Sequence, residues 1–245
     1  MTAEYEAMTF ENIINNTVDL SIYHDVLKEQ GRVQIDNFLT TEAAEDLAHC
    51  LLQETPWDLT YFEDNKGSKM TSEELANFDK ALIEKKINEI KGCKPDEYQF
   101  LYESYMIVTA YLERRNPDLL LHRFLEQINA PYFLGTMKKI TGDNSILKMD
   151  AQATRYSKGH FLKEHNDEDS TKGRRFAYVL SLTREWHPDW GGLLHFSDNG
   201  KVIDTFMPKF NVLNIFTVPQ THFVSSVAEY AGDQRISLTG WMLNK

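Results

Sequence analysis

The second half of the chain most constrains the fold. From residue 147 onward the apolar residues come in short runs: "LKMDAQATRYS", "RRFAYVLSLT", "GGLLHF", "FNVLNIFTV", "THFVSSV" and "QRISLTGWML". Turn signals such as Lys158-Gly159, Gly191-Gly192 and Asp198-Asn199-Gly200 separate them. Several short strands at regular spacing predict a closed or double-sheet all-β unit.

Before residue 145 the pattern is mainly helical. After a strand-like "RVQIDNF" (32 to 38), "TTEAAEDLAHCLLQ" (40 to 53) places Leu47, Cys50 and Leu51 at helical spacing behind threonines that can cap. "PWDLTYFEDNKGSKM" predicts a short strand running into a flexible polar loop, and "TSEELANFDKALIEKKI" a helix opened by the capping-box spacing of Thr71 and Glu74. Helices are also expected over "DEYQFLYESYMIVTAYLERR" (96 to 115) and "PDLLLHRFLEQI" (117 to 128), with Pro117 in a first turn. A chain of 245 residues that is 42% apolar can bury a sizeable core. The expected organisation is one domain, with 1–145 a helical support carrying the first strands and 146–245 the β core.

A formal charge of −11 argues against non-specific nucleic-acid binding, which needs a basic surface, and leaves a basic protein as a possible partner. The two cysteines, Cys50 and Cys93, make no disulfide framework and no Cys-rich zinc site. Cys50 falls on an apolar helix face and reads as structural. The N-terminus lacks the basic and apolar regions of a signal peptide, and no apolar run reaches the ~20 residues of a membrane span. A soluble cytoplasmic protein without direct nucleic-acid or membrane contact is therefore expected.

Chemistry concentrates in "GHFLKEHNDED", where His165 and Asp167 stand one residue apart at a strand end. A strand projects residues i and i+2 from one face, so the two could ligate one metal ion. An Fe(II) site that activates O2 needs two imidazoles and one carboxylate, with positions left open. The third ligand should be a histidine on a later strand, and His222, opening a strand after a proline turn, is best placed. His187 and Asp189 repeat the H-x-D spacing, but Pro188 between them and the flanking Trp and Gly residues predict a loop. His195 reads as a strand histidine facing solvent or satisfied in the core, and His160 as a strand-edge residue. Arg235 and Ser237 share one face of the last strand. A buried arginine there wants a carboxylate, which a dicarboxylate co-substrate would provide; an exposed arginine would pair with Asp or Glu instead.

The ordered set of Tyr156, His165-x-Asp167, "GRRFAYVLSL", "GGLLHF", "PKFNVLNIF", His222, Arg235-x-Ser237 and "GW" resembles the catalytic domain of Fe(II)- and 2-oxoglutarate-dependent dioxygenases of the prolyl hydroxylase type, over roughly residues 147 to 243. Within that superfamily it is most similar to the ribosomal and translation-factor prolyl hydroxylases, and "DEYQFLYESY" (96 to 105) is similar to an aromatic segment that precedes the core there. The resemblance implies a mainly β fold with N-terminal α-helices and a double-stranded β-helix, or jelly-roll, core. It implies His165, Asp167 and His222 as the metal triad, Arg235 as partner of the distal carboxylate of 2-oxoglutarate with Ser237 beside it, and Tyr156 as a hydrogen-bond partner of that co-substrate. Fe(II), 2-oxoglutarate and O2 are the implied cofactors, with ascorbate as an accessory reductant. Asp167 itself favours hydroxylation, since the halogenating members carry a small residue at that place.

Two features lie outside the resemblance. The eukaryotic members of the similar group carry a second jelly roll, which the sequence to Lys245 does not include. The lid-like "YFEDNKGSKMTSEEL" (61 to 75) matches no known pattern. Three functions follow as expectations: hydroxylation of a prolyl residue in a protein or peptide such as a translation component, hydroxylation of a free amino acid or other small metabolite, and a non-catalytic jelly-roll binding module. The aromatic cluster of Tyr98, Phe100, Tyr102 and Tyr105 is expected to be core packing.

Overall fold

A computed structural model describes residues 10–91 and 97–245. Cys93 and Asp96 lie outside the described residues. The first half runs α1 (Tyr23–Gln30), β1 (Arg32–Asp36), α2 (Thr41–His49), β2 (Asp58–Glu63), β3 (Lys66–Met70), α3 (Ser72–Asn77), α4 (Lys80–Lys91), β4 (Phe100–Tyr105), α5 (Ile107–Leu112), α6 (Leu120–Ile128) and α7 (Pro131–Thr141). The second half is β5 (Lys148–Met149), β6 (Gln152–Tyr156), β7 (Phe161–His165), β8 (Arg174–Leu182), β9 (Leu194–Asp198), β10 (Lys201–Phe206), β11 (Phe210–Thr217), β12 (His222–Val224) and β13 (Arg235–Leu243). No helix among the described residues is long and apolar enough to cross a membrane.

Local chemistry explains several helix ends. The Thr40 hydroxyl accepts from the Ala43 amide at the start of α2, and Thr71 and Glu74 form a reciprocal capping box on α3. The helix expected over 71–87 is broken in two. Phe78 turns extended, and the Asp79 carboxylate accepts the Ala81 amide at 2.8 Å to start α4. Several other expectations need correction. The polar segment after β2 is a hairpin strand rather than a loop, since β3 pairs with β2 along its whole length. Residues 100–105 are strand rather than helix: β4 pairs with β2, β6 and β7, and that ladder overrides the helical spacing. Pro117 precedes α6 instead of lying in its first turn.

All the strands pair antiparallel in one strongly curved sheet whose main path runs β1-β11-β8-β13-β6-β4-β7-β12-β9-β10, with β2 and β3 branching from β4 and β5 pairing with β13. Its two edge strands meet through side chains: Arg32 of β1 donates to Asp204 of β10 at 2.6 Å, and its guanidinium lies 5.2 Å from the Phe196 ring centroid. The result is a jelly roll whose first-half strands are part of the same sheet.

Strand alternation gives β8 two buried faces. Phe176, Tyr178, Leu180 and Leu182 join the core beneath the helices, with Leu47, Phe124, Met137, Ile215 and Leu238. Ala177 and Val179 face the other way, with Tyr156, Phe196, Phe216 and Val224, inside the roll. Each large apolar side chain so enclosed contributes roughly 1.5–3 kcal/mol. Gly240 allows β13 to run against Asp150, since a Cβ there would stand 2.2 Å from the Asp150 carbonyl oxygen.

Candidate metal centre

Strand pairing assembles the centre. β12 pairs antiparallel with β7 so that His222 lies opposite His165, and the two imidazole centroids are 4.2 Å apart. The ladder shifts between His222 and Val224, a bulge of the kind that re-aims a side chain. Asp167 arrives by a different route from the expected strand alternation. β7 ends at His165, and Asp167 sits beyond it with φ +61°, in the left-handed region. An aspartate tolerates that conformation better than most residues.

Both imidazoles are held in one tautomer. His165 Nδ1 lies 2.9 Å from the Lys163 carbonyl oxygen and His222 Nδ1 2.8 Å from that of Gln220. A neutral ring that donates from Nδ1 presents a lone pair at Nε2. His165 Nε2 stands 3.4 Å from Asp167 Oδ1, and His222 Nε2 stands 3.6 Å from Asp167 Oδ2. Burial first, then the neighbouring His165, pushes the His222 pKa down to about 4. Burial alone would raise the Asp167 pKa, but contact with His165 and the field of His222 outweigh it and hold the carboxyl below its usual range. Two lone pairs therefore converge on a carboxylate, all within 4.8 Å. This donor set fits a divalent transition metal, which takes imidazole nitrogen and carboxylate oxygen together.

The same cavity, about 430 Å³, is lined by Tyr156, His165, Asp167, His222 and Arg235. Arg235 lies opposite Tyr156 in the β6/β13 ladder, only 4% exposed, with its guanidinium 4.9 Å from the tyrosine ring centroid. Its Nε and Nη1 are buried without a hydrogen-bond partner. A buried cation with unfilled donors calls for an anion, and a carboxylate fits both. Burial keeps the Tyr156 phenol protonated, its pKa raised well beyond the ordinary value. Ser237 is fully enclosed and does not line the cavity; its hydroxyl pairs with Thr154, which does, at 2.8 Å.

Three other histidines weighed in the sequence are placed elsewhere. His195 faces the Thr205 hydroxyl with Nδ1 and the Ser225 hydroxyl with Nε2. His187 packs on Trp190 in the loop around the short Pro188–Trp190 turn. His160, expected at a strand edge, is instead buried in a turn, where its Nδ1 accepts from the Ser157 amide. The aromatic cluster divides: Tyr105 belongs to the core, while Tyr102 stacks on Tyr156 at 5.1 Å and Tyr98, 40% exposed, stands 6.0 Å from the His165 ring. Tyr98 and Tyr102 line the cavity, as do Arg174, Thr239 and Trp241. The alternation of Tyr98, Phe100 and Tyr102 is the sequence signal for a strand turned toward a site.

A jelly roll holding two histidines, one carboxylate and an unpaired buried arginine in one cavity is the architecture of a non-haem Fe(II) oxygenase. Residues 151–243 match the model of the 2OG-Fe(II) oxygenase superfamily, whose members use Fe(II), 2-oxoglutarate and O2. It is similar to prolyl 3-hydroxylase OGFOD1 of Xenopus laevis, 34% identical over 113 residues, which are 43% of this chain and 22% of that protein. The same enzyme of Mus musculus is 28% identical over 117 residues, 44% of this chain and 21% of the relative. The chain thus spans about a fifth of the length of these curated relatives. Among solved structures, a 2OG-Fe(II) oxygenase family oxidoreductase of Burkholderia pseudomallei superposes with TM-score 0.62 at 14% identity, covering 94% of this chain and 93% of that one. A Trichoplax adhaerens prolyl hydroxylase, solved with a hypoxia inducible factor peptide fragment, gives TM-score 0.62 at 18% identity over 92% and 89% of the two chains. These two likenesses carry the fold.

Proposed function

We propose that the protein is a dioxygenase that hydroxylates a prolyl residue in a protein or peptide, with His165, Asp167 and His222 as metal ligands and Arg235 and Tyr156 as co-substrate ligands. When bound, Fe(II), 2-oxoglutarate and O2 supply the chemistry: oxidative decarboxylation to succinate and CO2, coupled to insertion of the other oxygen atom into a substrate C–H bond. The observation that carries this reading is Arg235, a buried guanidinium with two open donor atoms in the cavity that holds the triad.

The chain's own residues bind and orient. Arg235 grips a carboxylate with a planar fork that lysine lacks. Tyr156, braced by Tyr102 on its outer face, keeps its phenolic proton as a donor. Thr154 is set by its bond to Ser237, which supports the co-substrate wall indirectly. Phe216, Leu194 and Val224 line the interior and exclude water around the reacting groups.

A peptidyl substrate is supported by the similarity to prolyl 3-hydroxylases and by the half-exposed Tyr98 lining the cavity. The acidic chain suits a basic partner, and a translation component is the first class to try. Anaerobic titration with Fe(II) and then 2-oxoglutarate should produce the visible charge-transfer band of the chelate, lost in His165→Ala. Mass spectrometry should then find one added oxygen on a proline of a candidate protein. Turnover of free proline but of no peptide would move the reading to a small-metabolite hydroxylase.

A further inference from the structure

Asp167 has no strand ladder to hold it. Its left-handed backbone, φ +61°, costs a non-glycine residue about 1 kcal/mol or more, so something must fix it. That contact comes from Arg174, whose Nη1 donates to the Asp167 carbonyl oxygen at 2.9 Å. The same guanidinium lies 3.6 Å from the ring centroid of Trp241. Trp241 is fixed in turn, since its backbone N–H donates to Asp150 Oδ1 at 2.6 Å and its register partner on β8 is Ala177.

Trp241 also stands on β13, six positions beyond Arg235, so both project from the same face of one strand. Both line the cavity, together with Thr239 between them. A continuous path therefore runs from the Asp167 turn through Arg174 to Trp241 and along β13 to Arg235. Resting on the metal reading above, we propose that Arg174, pinned flat on Trp241, is a positioning residue that locks the Asp167 turn and so sets its carboxylate between His165 and His222. Arginine suits the task because its planar head stacks on an indole while an in-plane N–H reaches the carbonyl; lysine offers a charge without that plane. An arginine packed on the indole for burial alone would leave Asp167 untouched.

Mn(II) titration, followed by the loss of the free-ion EPR signal, needs neither O2 nor turnover. Six proteins decide it, each checked for folding by circular dichroism: wild type, His165→Ala, Arg174→Gln, Trp241→Phe, Trp241→Leu and the double variant Arg174→Gln/Trp241→Leu. Arg174→Gln should bind Mn(II) about 10-fold or more weakly, the loss usual for a group that supports a ligand. Trp241→Phe keeps a flat face but loses the indole N–H that faces the Asp167 carboxyl, so it should lie between wild type and Trp241→Leu, which should weaken binding at least as much as Arg174→Gln does. The double variant Arg174→Gln/Trp241→Leu should be no worse than Trp241→Leu alone, because one clamp is broken once. Should Arg174→Gln fail to fold, the Phe and Leu variants at Trp241 carry the test. Wild-type binding that is lost in His165→Ala but kept within about twofold in Arg174→Gln, or equal in the two Trp241 variants, overturns the clamp and leaves the metal reading standing. Absence of any His165-dependent binding in wild type overturns the metal reading, and the clamp with it.

Discussion

His165 and His222 face each other across a single antiparallel ladder, at the last register position of β7 and the first of β12. Two imidazoles far apart in sequence are thereby fixed by backbone hydrogen bonds, so the donor atoms are in place before any ion arrives.

Preorganisation of this kind should show as ligand-linked stability. At a Mn(II) concentration 100 times Kd, binding adds about 2.7 kcal/mol. For a chain of this size that corresponds to a rise of roughly 5–10 °C in Tm by differential scanning fluorimetry. His165→Ala should show no rise, and a wild type that also shows none would contradict the assignment.

Arg235 carries an opposing pair of effects. Its burial without a partner weighs against the folded state and lowers its pKa from the ordinary guanidinium value. Arg235→Met should therefore stabilise the ligand-free protein by about 1–3 kcal/mol, as replacement of buried charge by apolar volume often does. The same change should weaken 2-oxoglutarate binding about 30-fold or more while Mn(II) binding is retained. Calorimetry of both ligands on both proteins measures all three quantities.

Gly240 is tested by adding one methyl group. Its Cβ would fall 2.2 Å from the Asp150 carbonyl oxygen, which accepts the Tyr178 hydroxyl at 2.8 Å. Gly240→Ala should cost about 1–3 kcal/mol through backbone displacement, read from urea denaturation. An unchanged midpoint would mean that β13 and Asp150 can separate freely.

The metal-free protein should lose stability in mild acid. His222 has a folded pKa near 4 against an ordinary 6.5, so its depressed pKa contributes stability that is fully present above about 6.5. That contribution declines as pH falls from about 6.5 toward 4, by up to roughly 3 kcal/mol. Chemical denaturation between these limits should show a steeper decline for wild type than for His222→Asn. Parallel slopes would place the linkage in other groups.

The sequence revealed the strands of the second half because their apolar runs are short and punctuated, and it pointed to His165, Asp167 and His222, which the fold brings together, because H-x-D and a later histidine have few alternatives in eight histidines. β4 was hidden, since Leu101 and Tyr105 recur at i and i+4 as a helix would have them, while the aromatics alternate as in a strand. Only pairing with β2, β6 and β7 decides between the two. α7 carried the local punctuation of a helix, with Pro131 opening it and Gly142 closing it in the left-handed conformation. Arg174 and Trp241 left no signal, because a stacking contact between the start of β8 and the end of β13 depends on register. The left-handed turn at Asp167 is likewise set by what surrounds it, and Asp167 reaches the cluster with His165 and His222 by a geometry other than the strand alternation that the H-x-D spacing suggests.

The Arg32–Asp204 contact gives the roll a seam. Elsewhere neighbouring strands are sewn together by backbone hydrogen bonds, but β1 and β10 are buttoned by one pair of side chains. Widening at that line costs no ladder bond. Phe196, under the Arg32 guanidinium, has its ring centroid 6.4 Å from that of His222 and 5.2 Å from that of Phe216, so the button is fastened within one ring's breadth of the proposed metal ligand His222. A change at Asp204 therefore has a route to the width of the barrel that bypasses the cavity mouth.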